Sequence, residues 1–135
     1  MMLINQNTLA ISSYNSTGFG LAAQNQLDKL LLFSDIVCVQ EHFLLDSKDK
    51  QYSNTDKLKA KFGHNHDMYI VPAVKEYSQI SKGRGSGGLA TIWKKSLTKF
   101  VSKQNCVSSR IQATSFKFPD SPILLINVYF PCDTR

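Results

Sequence analysis

The chain has 135 residues, 42% of them hydrophobic and 19% charged. That length bounds one domain, and the apolar content is enough to offset chain-ordering entropy, which excludes a disordered chain. Sixteen Lys and Arg against ten Asp and Glu give a formal charge of +6; it favours a polyanionic partner such as nucleic acid, but the basic residues are scattered, and charge alone does not separate a DNA binder from an ordinary basic protein.

Residues 8–14 alternate as a short strand, and Asn15 to Gly20 follow as a turn rich in Asn, Ser, Thr and Gly. From Leu21 to Phe33 the apolar positions Ala23, Leu27, Leu30 and Leu31 recur at helical spacing, and Ser34-Asp35 ends the pattern. Ile36 to Val39 is a continuous β-branched run, as in a central strand covered on both faces, and it leads directly into Gln40-Glu41-His42. An acidic side chain therefore stands at the end of a buried strand. Asn54 or Thr55 can cap a second helix whose Leu58 and Phe62 share a face, with Gly63 ending it.

Met68 to Pro72 reads as a strand, and His64, His66 and Asp67 before it read as a solvated polar turn. The glycine-rich stretch from Lys75 to Gly88 predicts an exposed, mobile loop, followed by a strand from Leu89 to Trp93. Strands over Arg110 to Phe118 and Ile123 to Tyr129 flank a turn at Pro119 to Pro122. This order, strand and helix alternating and then mostly strands, is α/β with an antiparallel portion in a single domain, residues 1–135. A buried-type strand so near Arg135 leads us to expect more protein after it.

No apolar run approaches the roughly 20 residues of a membrane span, and Met1 to Gln6 lack the pattern of a leader. Cys38, Cys106 and Cys132 are odd in number and widely spaced, which fits reduced thiols of an intracellular protein and no structural metal.

Four segments carry a resemblance in order and spacing: Ile11-Ser12-Ser13-Tyr14-Asn15-Ser16-Thr17-Gly18, then Asp35-Ile36-Val37-Cys38-Val39-Gln40-Glu41-His42, then Gly85 to Ser96, and Leu124 to Asp133 with its Asn-Val-Tyr-x-Pro element. Together they resemble the N-terminal part of the endonuclease/exonuclease/phosphatase superfamily, and in particular the apurinic-type endonuclease domains that retrotransposons of the non-LTR class encode beside a reverse transcriptase. The resemblance implies a four-layer α/β sandwich, two mixed, largely antiparallel sheets with outer helices. Residues 1–135 would supply about the first half, mainly the first sheet and its helices. It implies a DNA endonuclease dependent on Mg²⁺ or Mn²⁺, with the ion on Glu41 assisted by Asn15, and with Asn15 and Tyr129 positioning phosphate. The implied partners are DNA, the C-terminal half of the same domain and a reverse transcriptase domain in the parent protein. A nuclear location would suit such an enzyme, although no targeting signal is visible.

The residue chemistry agrees and also leaves alternatives. A strand-end carboxylate suits a hard cation, yet Glu41 without its motif would be a solvated strand end. Asn15 is equally a turn residue, and Tyr129 equally a half-buried strand-end aromatic. Lys82 and Arg84 are candidates for brushing a nucleic-acid backbone, against plain hairpin chemistry. His42 beside Glu41 is expected on the opposite side of a continuing strand, in a surface or second-layer place. Thr17 and Cys132 depart from the family pattern, and its later Asp-x-Asn and terminal Asp-His motifs are absent, so little or no turnover is expected of these 135 residues. The alternatives are a non-catalytic nucleic-acid or protein-binding relic, or a phosphoesterase acting on a small phosphoester or lipid phosphate.

Overall fold

The computed structural model describes residues 8–76, 83–105 and 108–130. Strand β1 (Ile11–Asn15) is followed by helix α1 (Leu21–Phe33) and strand β2 (Ile36–Gln40). Helix α2 (Asp56–Phe62), β3 (His66–Val71) and β4 (Leu89–Lys94) come next. A 3-10 helix (Lys95–Phe100) leads into β5 (Val101–Lys103), β6 (Ile111–Phe116) and β7 (Ile123–Val128).

Two sheets result, one with the order β1-β2-β4-β3 and one with the order β5-β6-β7. β1 and β2 run parallel, joined through α1, whereas every other pairing is antiparallel. The sequence dictates this layering. Along β2 and β4 the side chains alternate, so Val37, Val39, Ala90 and Ile92 pack with Leu27, Leu31, Leu58 and Phe62 of the helices. Ile36 and Trp93 face the other way and meet Phe116 of the second sheet, with Trp93 and Phe116 edge to face at 5.9 Å. Burial on both faces is why these two strands read as unbroken apolar runs.

Polar groups also join the sheets. Asn127, 2% exposed, donates through Nδ2 to the carbonyls of Val39 and Ala90 and to Gln112 Oε1, and its Oδ1 accepts from Gln40 Nε2 at 2.8 Å. Gln112 accepts from the Thr91 hydroxyl and donates to the Tyr69 carbonyl. At the opposite end of β2, Asp35 accepts from the Ala10 amide at 2.9 Å and pairs with Lys94 at 3.1 Å, which fixes where β1, β2 and β4 begin.

The α/β two-sheet sandwich is as the sequence predicts, with four differences. The second sheet is represented by three strands, more than expected. His66 and Asp67 open β3 instead of lying in a solvated turn; Asp67 is hydrogen-bonded by Thr98, and burial holds the His66 imidazole below its usual pKa. The 3-10 helix and β5 are absent from the sequence reading, since a six-residue turn and a three-residue strand carry too little periodicity. Finally, Gly85, Gly87 and Gly88 are buried, not part of an exposed loop, and Val74 and Ser86 bridge the ends of that segment. Among the described residues no helix is long and apolar enough to cross a membrane.

Candidate functional site

Because β1 and β2 are parallel with Asn15 opposite Gln40, both strands end at the same rim of the first sheet. The chain after β1 is fastened to the chain after β2: Ser16 N–H donates to the Gln40 carbonyl at 2.9 Å and Gly18 N–H to the Glu41 carbonyl at 2.7 Å. Asn15 is exposed, and its Oδ1 accepts from the Thr17 amide at 3.1 Å and the Thr17 hydroxyl at 3.0 Å. The turn chemistry that competes with a phosphate role for Asn15 is therefore present, with its acceptor oxygen already engaged.

Glu41 stands on a strained turn. Its φ is 59° and that of Phe43 is 63°, a left-handed backbone that costs a non-glycine residue about 1–3 kcal/mol and persists only where the surroundings enforce it. The enforcement comes from Gly87 and Gly88, whose carbonyls accept from Phe43 N–H at 2.9 Å and Glu41 N–H at 2.8 Å. Strand β2 thus ends at Gln40, and His42 is not on a continuing strand. It is fully buried, which overturns the surface place and leaves the second-layer one of the two that the sequence offered. Its Nδ1 accepts from the Leu44 amide at 2.9 Å, so the proton is on Nε2, which faces the carbonyls of Val71 at 3.2 Å and Leu89 at 3.3 Å. Burial lowers its pKa from 6.5 to about 4, against smaller opposing effects of the two carbonyls. The ring lies on Gly88, where an added Cβ would come within 2.4 Å of it, and Gly88 has φ +99°.

Tyr129 follows β7 and reaches the same rim from the second sheet. Its N–H donates to the Arg110 carbonyl at 3.0 Å, and its ring lies over Gly87, 3.7 Å from where a Cβ would stand. The phenol lies near the Glu41 carboxylate, and its pKa is raised by desolvation first and then by Glu41 and the negative charge of Glu76, with Arg110 opposing. Glu41, Tyr129, Arg110 and Glu76 therefore share one electrostatic neighbourhood, with Asn15 fastened beside it through backbone bonds. The Gln40–Asn127 bond locks the ends of β2 and β7 together just before Glu41 and Tyr129.

Arg84 stacks its guanidinium 3.9 Å over the Phe43 ring, so a cation flanks the Glu41 turn. Lys82 lies outside the described residues, as do Cys106 and Cys132. Cys38 is buried, and burial pushes its thiol up to about 11, which leaves it unreactive. Sequence reasoning missed the contributions of His42, Asn127, Arg110 and Glu76. For Asn127 the motif was in view, but a polar residue on an apolar strand was the signal to follow; for Arg110 and Glu76 no local pattern marks the position.

Among the described residues no group of three or more His, Cys, Asp or Glu could hold a metal. The rim does not fit a closed protein cage. It fits the looser arrangement of Mg²⁺, which keeps several waters and takes one or two carboxylates plus substrate phosphate; Glu41 offers such an oxygen.

No family model and no curated protein sequence matches the chain. Its fold is similar to that of a solved structure, the AP endonuclease LMAP from Leishmania major, with a TM-score of 0.56 at 19% identity over 90% of this chain. The chain spans about 40% of that protein's length, and at this identity the likeness establishes the fold that the two share, an α/β sandwich found in an AP endonuclease.

Proposed function

We propose that this chain is the N-terminal part of a phosphodiesterase domain that cleaves DNA with Mg²⁺ or Mn²⁺, of the type found in retrotransposon endonucleases. The observation that carries this reading is the convergence of Glu41 and Tyr129, two strand-end groups from different sheets, at one rim, where the Tyr129 ring lies over Gly87 and the Glu41 turn is hydrogen-bonded to Gly87 and Gly88. Glu41 would hold the ion, with Asn15 beside it, and an ion bound there polarises a phosphoryl oxygen and offsets charge as it develops. Tyr129 beside Glu41 carries an O–H that can donate to a phosphate oxygen. Arg110 near Tyr129 and Arg84 over the Phe43 ring add positive charge near the rim, suited to a DNA backbone.

On this reading the 135 residues alone turn over little substrate. A water-activating base is needed, and the histidines do not provide one: His42 is buried and neutral, while His66 opens β3 at the far end of the sheet and His64 precedes it. The remaining half of the domain, and in the parent a reverse transcriptase, would be its covalent partners. The second reading, a nucleic-acid binder without metal chemistry, draws on the net charge of +6 and on the engagement of the Asn15 amide oxygen by Thr17.

Titration of the isotopically labelled chain with Mn²⁺ separates the two. Paramagnetic broadening centred on Glu41, Gly88 and Tyr129, and abolished in Glu41→Gln, is the expected outcome. Broadening that is unchanged in Glu41→Gln, or centred on His64 and His66, would remove the metal-dependent reading; salt-sensitive DNA binding in its absence would favour the second.

A further inference from the structure

Backbone bonds from Glu41 and Phe43 to Gly18, Gly85, Gly87 and Gly88 fasten the left-handed turn, and a buried side chain within the turn adds to their hold. Glu41 and Phe43 both have positive φ, and the residue between them is His42. Its imidazole ties the turn to two other segments, β3 and β4. Nδ1 accepts from Leu44 N–H within the turn, and Nε2–H faces the carbonyls of Leu89 at the start of β4 and Val71 at the end of β3. The ring also occupies the space above Gly88, the residue whose carbonyl accepts from Glu41 N–H at 2.8 Å. Removing the ring would free the turn to relax toward an extended strand, and an extended strand would carry the Glu41 side chain away from Tyr129, since successive side chains of a strand point to opposite faces.

We infer that His42 is the positioning residue of the site: by filling the space over Gly88 and bridging Leu44, Leu89 and Val71, it holds the left-handed turn that presents the Glu41 carboxylate to Tyr129 at the rim. This deepens the reading of Glu41 as the ion-holding group and rests on it for its functional meaning. The neutral, Nε2-protonated imidazole is the form that does so, because protonation of Nδ1 would set an N–H against the Leu44 N–H.

The test reads the influence of the Glu41 carboxylate on Tyr129, with neither metal nor DNA present. In the 135-residue chain with ¹³C-labelled tyrosine, Tyr129→Phe assigns the Tyr129 Cζ resonance, and Glu41→Gln defines its position when the carboxylate is lost. His42→Ala removes the imidazole, His42→Leu refills its volume without its hydrogen bonds, and Gly88→Ala displaces the ring. In each folded variant the Tyr129 resonance should move at least half of the way to its Glu41→Gln position. A resonance that stays at the wild-type position while the melting temperature falls would make His42 a core residue with no hold on Glu41, and failure of all three variants to fold would count against the inference in the same way. Where Mn²⁺ binds at Glu41, the folded His42 variants should weaken it about 10- to 100-fold, as loss of a ligand's supporting partner does. A chain that binds no Mn²⁺ yet shows the resonance shift would refute the metal reading and leave the positioning role standing.

Discussion

Gln40 Nε2 donates to Asn127 Oδ1 at 2.8 Å, a bond between the last residue of β2 in one sheet and the penultimate residue of β7 in the other. Both partners are one or two residues away from the groups that meet at the rim, Glu41 and Tyr129. The spacing of the two sheets at that edge is therefore set by the same amide that fixes the distance across the site.

Replacement of Asn127 tests this coupling. Asn127→Ala leaves the Val39 and Ala90 carbonyls and the Gln112 amide oxygen each short of a donor in a buried gap. Unsatisfied buried polar groups cost roughly 1–3 kcal/mol each, and partial rescue by water lowers the sum, so a loss of about 3 kcal/mol is expected in urea unfolding. Asn127→Asp should be at least as damaging, because it exchanges the amide donor for an unpaired buried charge. An Ala variant within about 0.5 kcal/mol of wild type would show that the sheets are held by the Trp93–Phe116 side of the core alone.

The buried His42 gives stability a defined pH dependence. Its pKa is about 4 in the fold against 6.5 for an unperturbed histidine. The unfolded chain therefore binds a proton that the folded chain does not, and stability is fully present above pH 6.5 and falls as the pH drops toward 4. The window corresponds to a loss on the order of 3 kcal/mol. Urea midpoints for wild type and His42→Gln, compared between pH 7 and 4.5, isolate this contribution; parallel pH profiles for the two proteins would refute it.

Two glycines of one segment should respond differently to alanine. Gly83 has φ +78° with nothing within 4 Å of an added Cβ, whereas Gly88 has φ +99° and the His42 ring 2.4 Å away. Gly83→Ala meets backbone strain only, about 1 kcal/mol. Gly88→Ala adds overpacking against a buried ring, for a total on the order of 3 kcal/mol. Equal thermal shifts in the two variants would contradict the packing described around His42.

The central elements were legible in the sequence because their burial has a simple period. Val37 and Val39 alternate with Ile36 and Cys38, and Ala23, Leu27 and Leu31 fall one turn apart, so α1 read correctly at its bounds and β2 to within one residue, Gln40. The meeting of Asn15, Glu41 and Tyr129 at one rim was legible only through motif order, since nothing local says that β7 ends beside β2. The place of His42 was not legible, because it follows from a reversal of backbone hand at Glu41 that composition does not signal. The burial of Gly85 and Gly88 was not legible for a related reason: a Cβ at Gly85 would meet Ala73 and Leu45 and one at Gly88 the His42 ring, contacts between segments distant in the chain.

The influence of Glu41 on the Tyr129 phenol should be visible as a titration. Desolvation is the largest cause of the raised phenol pKa and Glu41 the next. Glu41→Gln removes the negative charge and the carboxylate acceptor but not the desolvation, so the Tyr129 pKa should fall toward, without reaching, that of a free phenol. Difference spectra against Tyr129→Phe separate it from the other four tyrosines of the chain. A Tyr129 pKa unaffected by Glu41→Gln would show that the two groups do not share the rim.

The outer face of the second sheet should govern self-association. Strand alternation sends Phe116, Leu125 and Asn127 inward, and leaves Ile111, Leu124 and Ile126 outward, 43%, 59% and 53% exposed. Ile111 and Ile126 lie on neighbouring strands in a contiguous apolar strip, the kind of surface that drives association. Lysine there faces solvent and disturbs no inward contact, so Leu124→Lys with Ile126→Lys should shift sedimentation toward monomer while changing the unfolding free energy by less than about 1 kcal/mol. The inward substitution Leu125→Lys should do the reverse, lowering stability by several kcal/mol through a charge placed in the core between the sheets. A doubly substituted chain that still self-associates at the wild-type concentration would move the association to another surface, such as the exposed Leu32 and Phe33 at the end of α1.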